Sequence, residues 1–242
     1  MTQCVVTERD IRLKCLERGL RDGTTVSYLV TFRTLKLLDR PIDLLDVVEA
    51  LKTVKNPNTR RKHVLVLKSM LPFEVPIKSG SSVSRQYYLP TQEEYEFYRA
   101  MFRYPERLDL MYYAGLRVGE ACFDHQVIGN RMTVKYQISV TGVVEPAKTI
   151  GTVIVPTWLN RELPPWEGSS NRLSHHIMRH SKRMGIPIMA HGLRASFATR
   201  LVEAGISING LQTQMRHRNV STTLTHYTQA KQSELTDLME RL

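Results

Sequence analysis

The sequence predicts a mainly α protein of two domains, with a small antiparallel β-sheet confined to the second. Three observations indicate this. Apolar residues recur at helical spacing through the first part of the chain, a Ser- and Gly-rich stretch follows at 78–84, and an alternating β-branched segment occupies 132–140. A chain of 242 residues is long enough for two ordinary domains. We therefore expect a helical domain over 1–79 and a mixed α+β domain over 86–242.

The first domain contains four segments typical of helices and no run typical of a strand. Cap and stop signals place them at 7–19 beginning with Thr7, at 26–38, at 43–51 beginning with Asp43, and at a last helix that Asn58 or Thr59 caps and that ends at Met70. The densest positive patch of the domain, Arg60-Arg61-Lys62-His63, lies at the start of the last helix, and a helix N-terminus also favours phosphate. Arg60, Arg61 and Lys62 are therefore candidate DNA contacts, although a charge run is often only a solvated surface.

The second domain begins with helices and then changes its period. Helices are predicted after Thr91, from Pro105 to Gly115, over 117–122, over 171–184 and from His191 to Gly205. Between them, 132–140 and 152–155 are rich in β-branched residues and are separated by glycines. We expect these two runs to pair as antiparallel strands, with Lys148 in the connection between them.

The charge of the chain indicates an anionic partner. The formal net charge is +11, which suits nucleic acid or an anionic membrane surface. No apolar run approaches the ~20 residues of a transmembrane helix, and no signal peptide opens the sequence. The three cysteines show no metal-type spacing. We therefore expect reduced thiols in a cytoplasmic protein that binds nucleic acid.

Residues that can bind and attack a phosphate occur in a fixed order along the second domain. They are Arg117, Lys148, His191 with Arg194 three residues later, His217 and Tyr227. Residues three apart lie on the same face of a helix. Arginine binds two phosphate oxygens through its planar guanidinium and stays charged, while a tyrosine can form a covalent phosphodiester. Each residue alone is commonplace; the ordered set predicts phosphodiester chemistry.

This ordered set resembles the tyrosine recombinase family, the phage integrases and Xer-type enzymes, over about residues 86–230. The resemblance implies a catalytic domain over 86–242 and a core-type DNA-binding domain over 1–79. It implies the following roles: Arg117 and Arg194 clamp the phosphate, Glu120 orients Arg117, Lys148 protonates the leaving 5′ oxygen, His191 accepts a proton, His217 hydrogen-bonds the phosphate and Tyr227 is the nucleophile. Lys135 on the adjacent strand is the alternative to Lys148. The family pattern of Lys-Thr followed some residues later by Val-Pro favours Lys148, because Lys148-Thr149 and Val155-Pro156 match it. The chain departs from the family's Leu-Gly-His with Met215-Arg216-His217.

The resemblance also implies a function and partners. We expect a site-specific recombinase that works through a 3′-phosphotyrosine and a Holliday junction, integrates phage or mobile-element DNA, needs no cofactor or metal, and lacks an arm-binding domain. The alternatives are a Xer-like resolvase, a related topoisomerase and a catalytically silent DNA-binding regulator. The expected partners are duplex attachment sites and an accessory DNA-bending protein. The protein is expected to be a monomer when free and a homotetramer on DNA, joined by an amphipathic tail at 231–242, in a bacterial or archaeal cytoplasm.

Overall fold

The chain is mainly α-helical, as the sequence predicts, and its described part contains two small antiparallel sheets, of which the sequence predicts only the one in the second unit. The computed structural model describes residues 3–81 and 86–217. It forms two compact units, Met1–Arg85 and Gln86–Leu242. That the first unit binds core-type DNA and the second is catalytic stays a prediction. Within the described ranges, no helix is both long and apolar enough to cross a bilayer.

The first unit consists of four helices and a two-stranded ribbon. In chain order its elements are β1 (Cys4–Val5), α1 (Glu8–Glu17), α2 (Asp22–Thr34), β2 (Pro41–Ile42), α3 (Leu44–Lys52) and α4 (Pro57–Met70). Thr7 and Asp43 cap α1 and α3 through reciprocal capping boxes. The cap predicted for α4 is wrong, because Pro57 occupies its first position and the Asn56 side chain accepts the Thr59 amide at 3.0 Å. The short pairing of β1 with β2 was not predicted.

The core of the first unit is made by one face of each helix. Ile11, Phe32, Val47 and Leu67 are fully buried and belong to one hydrophobic cluster. His63 belongs to this interior and not to the surface patch that the sequence suggests, since it is 3% exposed. Its Nδ1 lies 2.9 Å from the Thr31 hydroxyl.

The second unit places seven helical segments around a three-stranded sheet in the described part of the chain. Its elements are α5 (Gln92–Ala100), α6 (Pro105–Tyr112), α7 (Val118–Ala121), β3 (Val127–Ile128), β4 (Arg131–Ile138), β5 (Val144–Ile154), a 3₁₀ turn (Thr157–Leu159), α8 (Ser170–Met184), α9 (Ala190–Glu203) and α10 (Ile208–Met215). The strands are antiparallel in the order β3-β4-β5. The cap of α5 is the predicted capping box of Thr91 with Glu94.

The strand predicted over 152–155 is longer than expected, which changes the position of Lys148. β5 begins at Val144, because the chain reverses at 139–143, where the Ser139 amide donates to the Val143 carbonyl at 2.8 Å. Lys148 therefore lies within β5 and not in a connection between strands. The pairing is irregular there: Val134 faces Gly151, whereas Tyr136 faces Pro146. Lys148 lies on the bulged side of this irregularity.

Candidate active site

Arg117 is fixed by the first turn of α7. Its backbone amide donates to Glu120 Oε2 at 2.8 Å, and its Nη1 donates to Glu120 Oε1 at 2.9 Å. The carboxylate therefore satisfies a helix N-terminus and orients the guanidinium at the same time. Glu120 is fully buried, whereas the Arg117 side chain is 23% exposed. The arginine thus keeps part of its surface available to a ligand.

Arg194 reaches the same place from α9. It is buried, and its two terminal nitrogens donate to backbone carbonyls: Nη1 to Gly115, and Nη2 to Met215 at 2.5 Å. Gly115 itself requires glycine, because its φ is +64° and a Cβ there would lie 2.4 Å from Cδ1 of Phe197. Arg194 is thereby held between Gly115, in the loop that joins α6 to α7, and Met215, the last residue of α10.

The end of α10 brings the two arginines together. Arg117 Nη2 contacts the Arg216 carbonyl at 3.5 Å, next to the Met215 carbonyl that Arg194 binds. Unpaired carbonyls and the helix dipole make a helix C-terminus a favourable place for cations. Arg216 ends the helix in the left-handed conformation, with φ 49° and ψ 48°. The His217 amide then donates to the Gln212 carbonyl at 3.1 Å, so the helix ends here although arginine replaces glycine.

Three guanidinium groups surround one carboxylate in this site. Arg216 Nη2 forms an ion pair with Glu120 Oε2, while Arg117 takes Oε1. Burial alone would raise the pKa of Glu120, but Arg216, Arg117 and Arg194 together hold it below its usual value. Burial, followed by the charge of Arg117, lowers the pKa of Arg194. The cluster has more positive than negative charge, so it is suited to bind an anion such as a phosphate.

The remaining predicted site residues differ in exposure and in their place in the fold. His191 is exposed in the first turn of α9, with its ring centroid 5.7 Å from that of Tyr87. His217 is half-buried directly after α10, next to the arginines. Lys148 is exposed on β5, and Lys135 is exposed on β4 at the same irregularity, so both lysines remain candidates. Tyr227 and the tail at 231–242 lie outside the described residues.

The candidate DNA contacts of the first unit lie at the start of α4. Arg60 and Lys62 are exposed, whereas Arg61 is half-buried and its Nε donates to the Gly80 carbonyl at 3.1 Å. Within 3–81 and 86–217, no group of three or more His, Cys, Asp or Glu side chains is placed to hold a metal ion.

Sequence reasoning missed Arg216 as a member of the site. The signal was present, since Arg216 stands where the family resemblance leads one to expect glycine. A charged residue at a position of positive φ is uncommon and marks a place to examine.

Part of the chain matches known proteins in sequence. Residues 158–234, a span that includes His191, Arg194, His217 and Tyr227, match the model of the phage integrase family. The tyrosine recombinase XerA of Thermococcus kodakarensis is 36% identical over 55 residues, which are 23% of this chain and 20% of that protein. The chain thus aligns with only about a fifth of the length of the curated relatives it matches.

Solved structures extend the likeness to the whole fold. The Tn1549 transposon integrase in complex with a circular intermediate DNA superposes with a TM-score of 0.66 at 16% identity, covering 99% of this chain and 100% of that one. A lambda integrase dimer bound to a COC′ core site superposes with a TM-score of 0.65 at 16% identity, covering 92% and 77%. At this identity the superpositions establish a shared fold. Together with the sequence matches over 158–234, this shared fold supports the tyrosine recombinase (phage integrase) family for this chain.

Proposed function

We propose that this chain is a site-specific DNA recombinase that cleaves and rejoins DNA through a covalent phosphotyrosine and integrates phage or other mobile-element DNA. The observation that carries the proposal is the meeting of Arg117 and Arg194 at the end of α10. They come from distant parts of the chain, and the next residue after that helix end is His217. Two guanidinium groups fixed in position can stabilise the negative charge that develops on the non-bridging oxygens of a phosphodiester under attack.

The chemistry follows from this arrangement. The Tyr227 phenol oxygen attacks the phosphorus, and the bond from phosphorus to the 5′ oxygen breaks, leaving a 3′-phosphotyrosine. His191 accepts the phenol proton, because a phenol of pKa about 10 is a weak nucleophile until it is deprotonated. Lys148 donates a proton to the leaving 5′ oxygen, and His217 hydrogen-bonds the phosphate. A 5′ hydroxyl of the partner strand then attacks the phosphotyrosine and restores the phosphodiester, so no cofactor or metal is required.

The assembly belongs to the same proposal. Exchange of two strand pairs passes through a Holliday junction and requires four active sites. We propose a homotetramer on duplex attachment sites, formed from free monomers through the tail at 231–242, with an accessory DNA-bending protein as a further partner. The first unit contacts the core site through Arg60, Arg61 and Lys62. The reaction takes place in the cytoplasm of a bacterial or archaeal host, on the nucleoid.

A Xer-like resolvase is the second candidate, because the curated relatives that match are XerA recombinases. The two functions differ in their substrates. A resolvase recombines two identical sites on one DNA circle, whereas an integrase joins two different partner sites. A plasmid with two direct copies of the recognised duplex distinguishes them, since only a resolvase deletes the segment between the copies.

Covalent capture tests the proposal without knowledge of the target site. The probe is a library of duplexes with randomised half-sites and a nick one nucleotide from the central region, so that cleavage releases a short fragment and traps the adduct. Protein–DNA adducts retained under denaturing conditions are recovered and sequenced. The full chain should capture a defined sequence, and Tyr227→Phe should capture none. Equal capture by Tyr227→Phe would remove Tyr227 as the nucleophile, and no capture by the wild type would contradict the enzyme activity.

A further inference from the structure

We propose that Arg216 is a positioning residue for the phosphate clamp: it holds one oxygen of Glu120 so that the other keeps Arg117 oriented toward the phosphate. The inference rests on the proposed function and adds a residue to it. Arg216 occupies the position at which this chain departs from the Leu-Gly-His pattern of the family. Its role therefore has to be read from its surroundings in this structure.

The backbone at Arg216 favours glycine, yet an arginine side chain is present. Its φ of 49° lies in the left-handed region, which it shares with only two other non-glycine residues of the described chain, Lys36 and Asp39. A side chain in this conformation is strained relative to glycine. Since Arg216 is only 5% exposed, solvation of its charge does not account for its presence.

The surrounding chain provides space for this side chain. Gly151 on β5 lies against its methylene groups: a Cβ at Gly151 would be 3.2 Å from Cδ of Arg216 and 3.6 Å from Cγ. A larger residue at 151 would therefore press on the buried arginine. The small residue on β5 thus leaves room for the long side chain at the end of α10, and the two positions pack against each other.

Among the residues that the structure describes, the guanidinium of Arg216 bonds to Glu120 alone. Nη2 donates to Glu120 Oε2, while the buried Nε and Nη1 have no hydrogen-bond partner among the described residues. Glu120 Oε1 accepts from Arg117 Nη1, and Oε2 also accepts the Arg117 amide. The carboxylate thus lies between a buried arginine that anchors it and a partly exposed arginine that it aims.

Loss of Arg216 should change the protonation of Glu120. The charged groups facing this carboxylate are Arg117 before α7, Arg194 from α9 and Arg216 after α10, while His125 contacts its backbone carbonyl through Nε2 at 2.9 Å. Arg107 from α6 approaches α7 at the Ala121 carbonyl instead. The charge of Arg216 is the largest single cause that lowers the pKa of Glu120 against the effect of burial, so its loss should raise that pKa. A protonated Glu120 is a poorer acceptor for both hydrogen bonds from Arg117.

Three variants of the full chain separate positioning from a merely structural role. Arg216→Gly removes the ion pair and relieves the backbone, and Arg216→Lys keeps the charge. Lys36→Gly is the matched control, because it relieves the same backbone conformation (φ 54°) at an exposed position in the first unit. The first readout does not need activity: the Glu120 carboxyl is titrated by NMR with ¹³C-labelled glutamate and assigned by its absence in Glu120→Gln. The second readout is the single-turnover cleavage rate on the duplex recovered by covalent capture, between pH 5 and 9.

Arg216→Gly should raise the pKa of Glu120 and slow cleavage about 100-fold at neutral pH, as expected for a misplaced catalytic group. As the pH is lowered, the cleavage rate of Arg216→Gly should begin to fall at a higher pH than the wild-type rate does. The affinity of the variant for the duplex should change little. Arg216→Lys should restore the pKa and part of the rate, and it decides the question if Arg216→Gly does not fold. Lys36→Gly should match the wild type in both readouts.

The proposal is overturned if Arg216→Gly retains the wild-type rate. It is equally overturned if the rate falls while the pKa of Glu120 and the pH dependence stay unchanged, since that result describes a packing role. Failure of the wild type to form adducts contradicts the proposed function instead. In that case the titration of Glu120 alone decides whether Arg216 controls it.

Discussion

Replacement of Gly115 by alanine should destabilise the second unit and disturb the phosphate clamp. Gly115 lies between α6 and α7, and its carbonyl accepts a hydrogen bond from Arg194. Its φ is +64°, and a Cβ would lie 2.4 Å from Cδ1 and 2.8 Å from Cε1 of Phe197 and 3.2 Å from Sδ of Met215. These distances are well below ordinary contact, so the two neighbours or the backbone must move.

The magnitude has two parts. An L-residue in the left-handed region costs about 1–2 kcal/mol relative to glycine. Overpacking a filled core costs about 1–3 kcal/mol more. Gly115→Ala should therefore lower the free energy of unfolding by about 2–5 kcal/mol. Gly129→Ala is the matched control, because Gly129 has a φ of +61° and no atom of the described residues lies within 4 Å of the added Cβ. Only the backbone part therefore applies.

Denaturant unfolding followed by tryptophan fluorescence measures this difference. The two tryptophans of the chain, Trp158 and Trp166, both belong to the second unit, so the signal reports on that unit. Adding Phe197→Leu to Gly115→Ala should recover part of the loss, since it removes the ring that the new Cβ meets. The reasoning is refuted if Gly115→Ala and Gly129→Ala reduce stability equally.

Two further changes test the interiors of the two units. Asp109→Asn should destabilise the second unit by about 3 kcal/mol in the same assay, because the fully buried Asp109 pairs with Arg99 at 2.6 Å and Arg161 at 3.1 Å; a loss below about 1 kcal/mol would contradict this. In the first unit, burial and then the charge of Lys62 lower the pKa of His63. The stability linked to the neutral His63 imidazole is therefore complete above the unfolded-state pKa of about 6.5. It is lost as the pH falls toward the lowered folded-state pKa. Hydrogen exchange of α4, corrected for the intrinsic rate, should therefore be faster at pH 5 than at pH 7, and His63→Gln should remove this difference; equal protection at both pH values in the wild type would contradict the argument.

Capping residues in the sequence predicted three helix starts, whereas α2, which has no side-chain cap, begins at Asp22 and not near Val26. Thr7, Asp43 and Thr91 cap their helices as predicted, because a capping box joins residues only three positions apart. The start of α4 was misplaced because several polar residues follow one another, and only the position of Pro57 decides among them. The ribbon of β1 with β2 could not be predicted, because each strand has only two residues and such short strands show no periodic pattern.

The β-hairpin shows a different limit of sequence reasoning. The sequence predicts a break at both Gly142 and Gly151, which would place Lys148 between two strands. The chain in fact turns near Gly142, whose φ is +92°, and continues as a strand through Gly151. Gly151 has another reason to be glycine, since Arg216 packs against it. A glycine that serves close packing and one that serves a turn look the same in a single sequence.

Within the candidate site, the predictable and unpredictable contacts divide by the type of partner. The pairing of Arg117 with Glu120 follows from an i, i+3 spacing and could be read directly. Arg194 instead binds the carbonyls of Gly115 and Met215, and a backbone acceptor carries no side-chain signature. The two arginines are thus set by the position of a helix end. This explains why the order of Arg117 and Arg194 along the chain helps to predict the site, whereas the number of residues between them does not.

The same helix end accounts for the dependence of the whole site on residue 216. Its carbonyl contacts Arg117, the preceding carbonyl holds Arg194, and its side chain anchors Glu120. A change at Arg216 therefore acts on both clamp arginines through different atoms, and the effects of single replacements in this group should not add. Glycine would give this helix end its preferred backbone but no hold on the buried carboxylate. The arginine accepts a less favourable backbone and supplies that hold, which makes position 216 part of the site and not only the end of a helix.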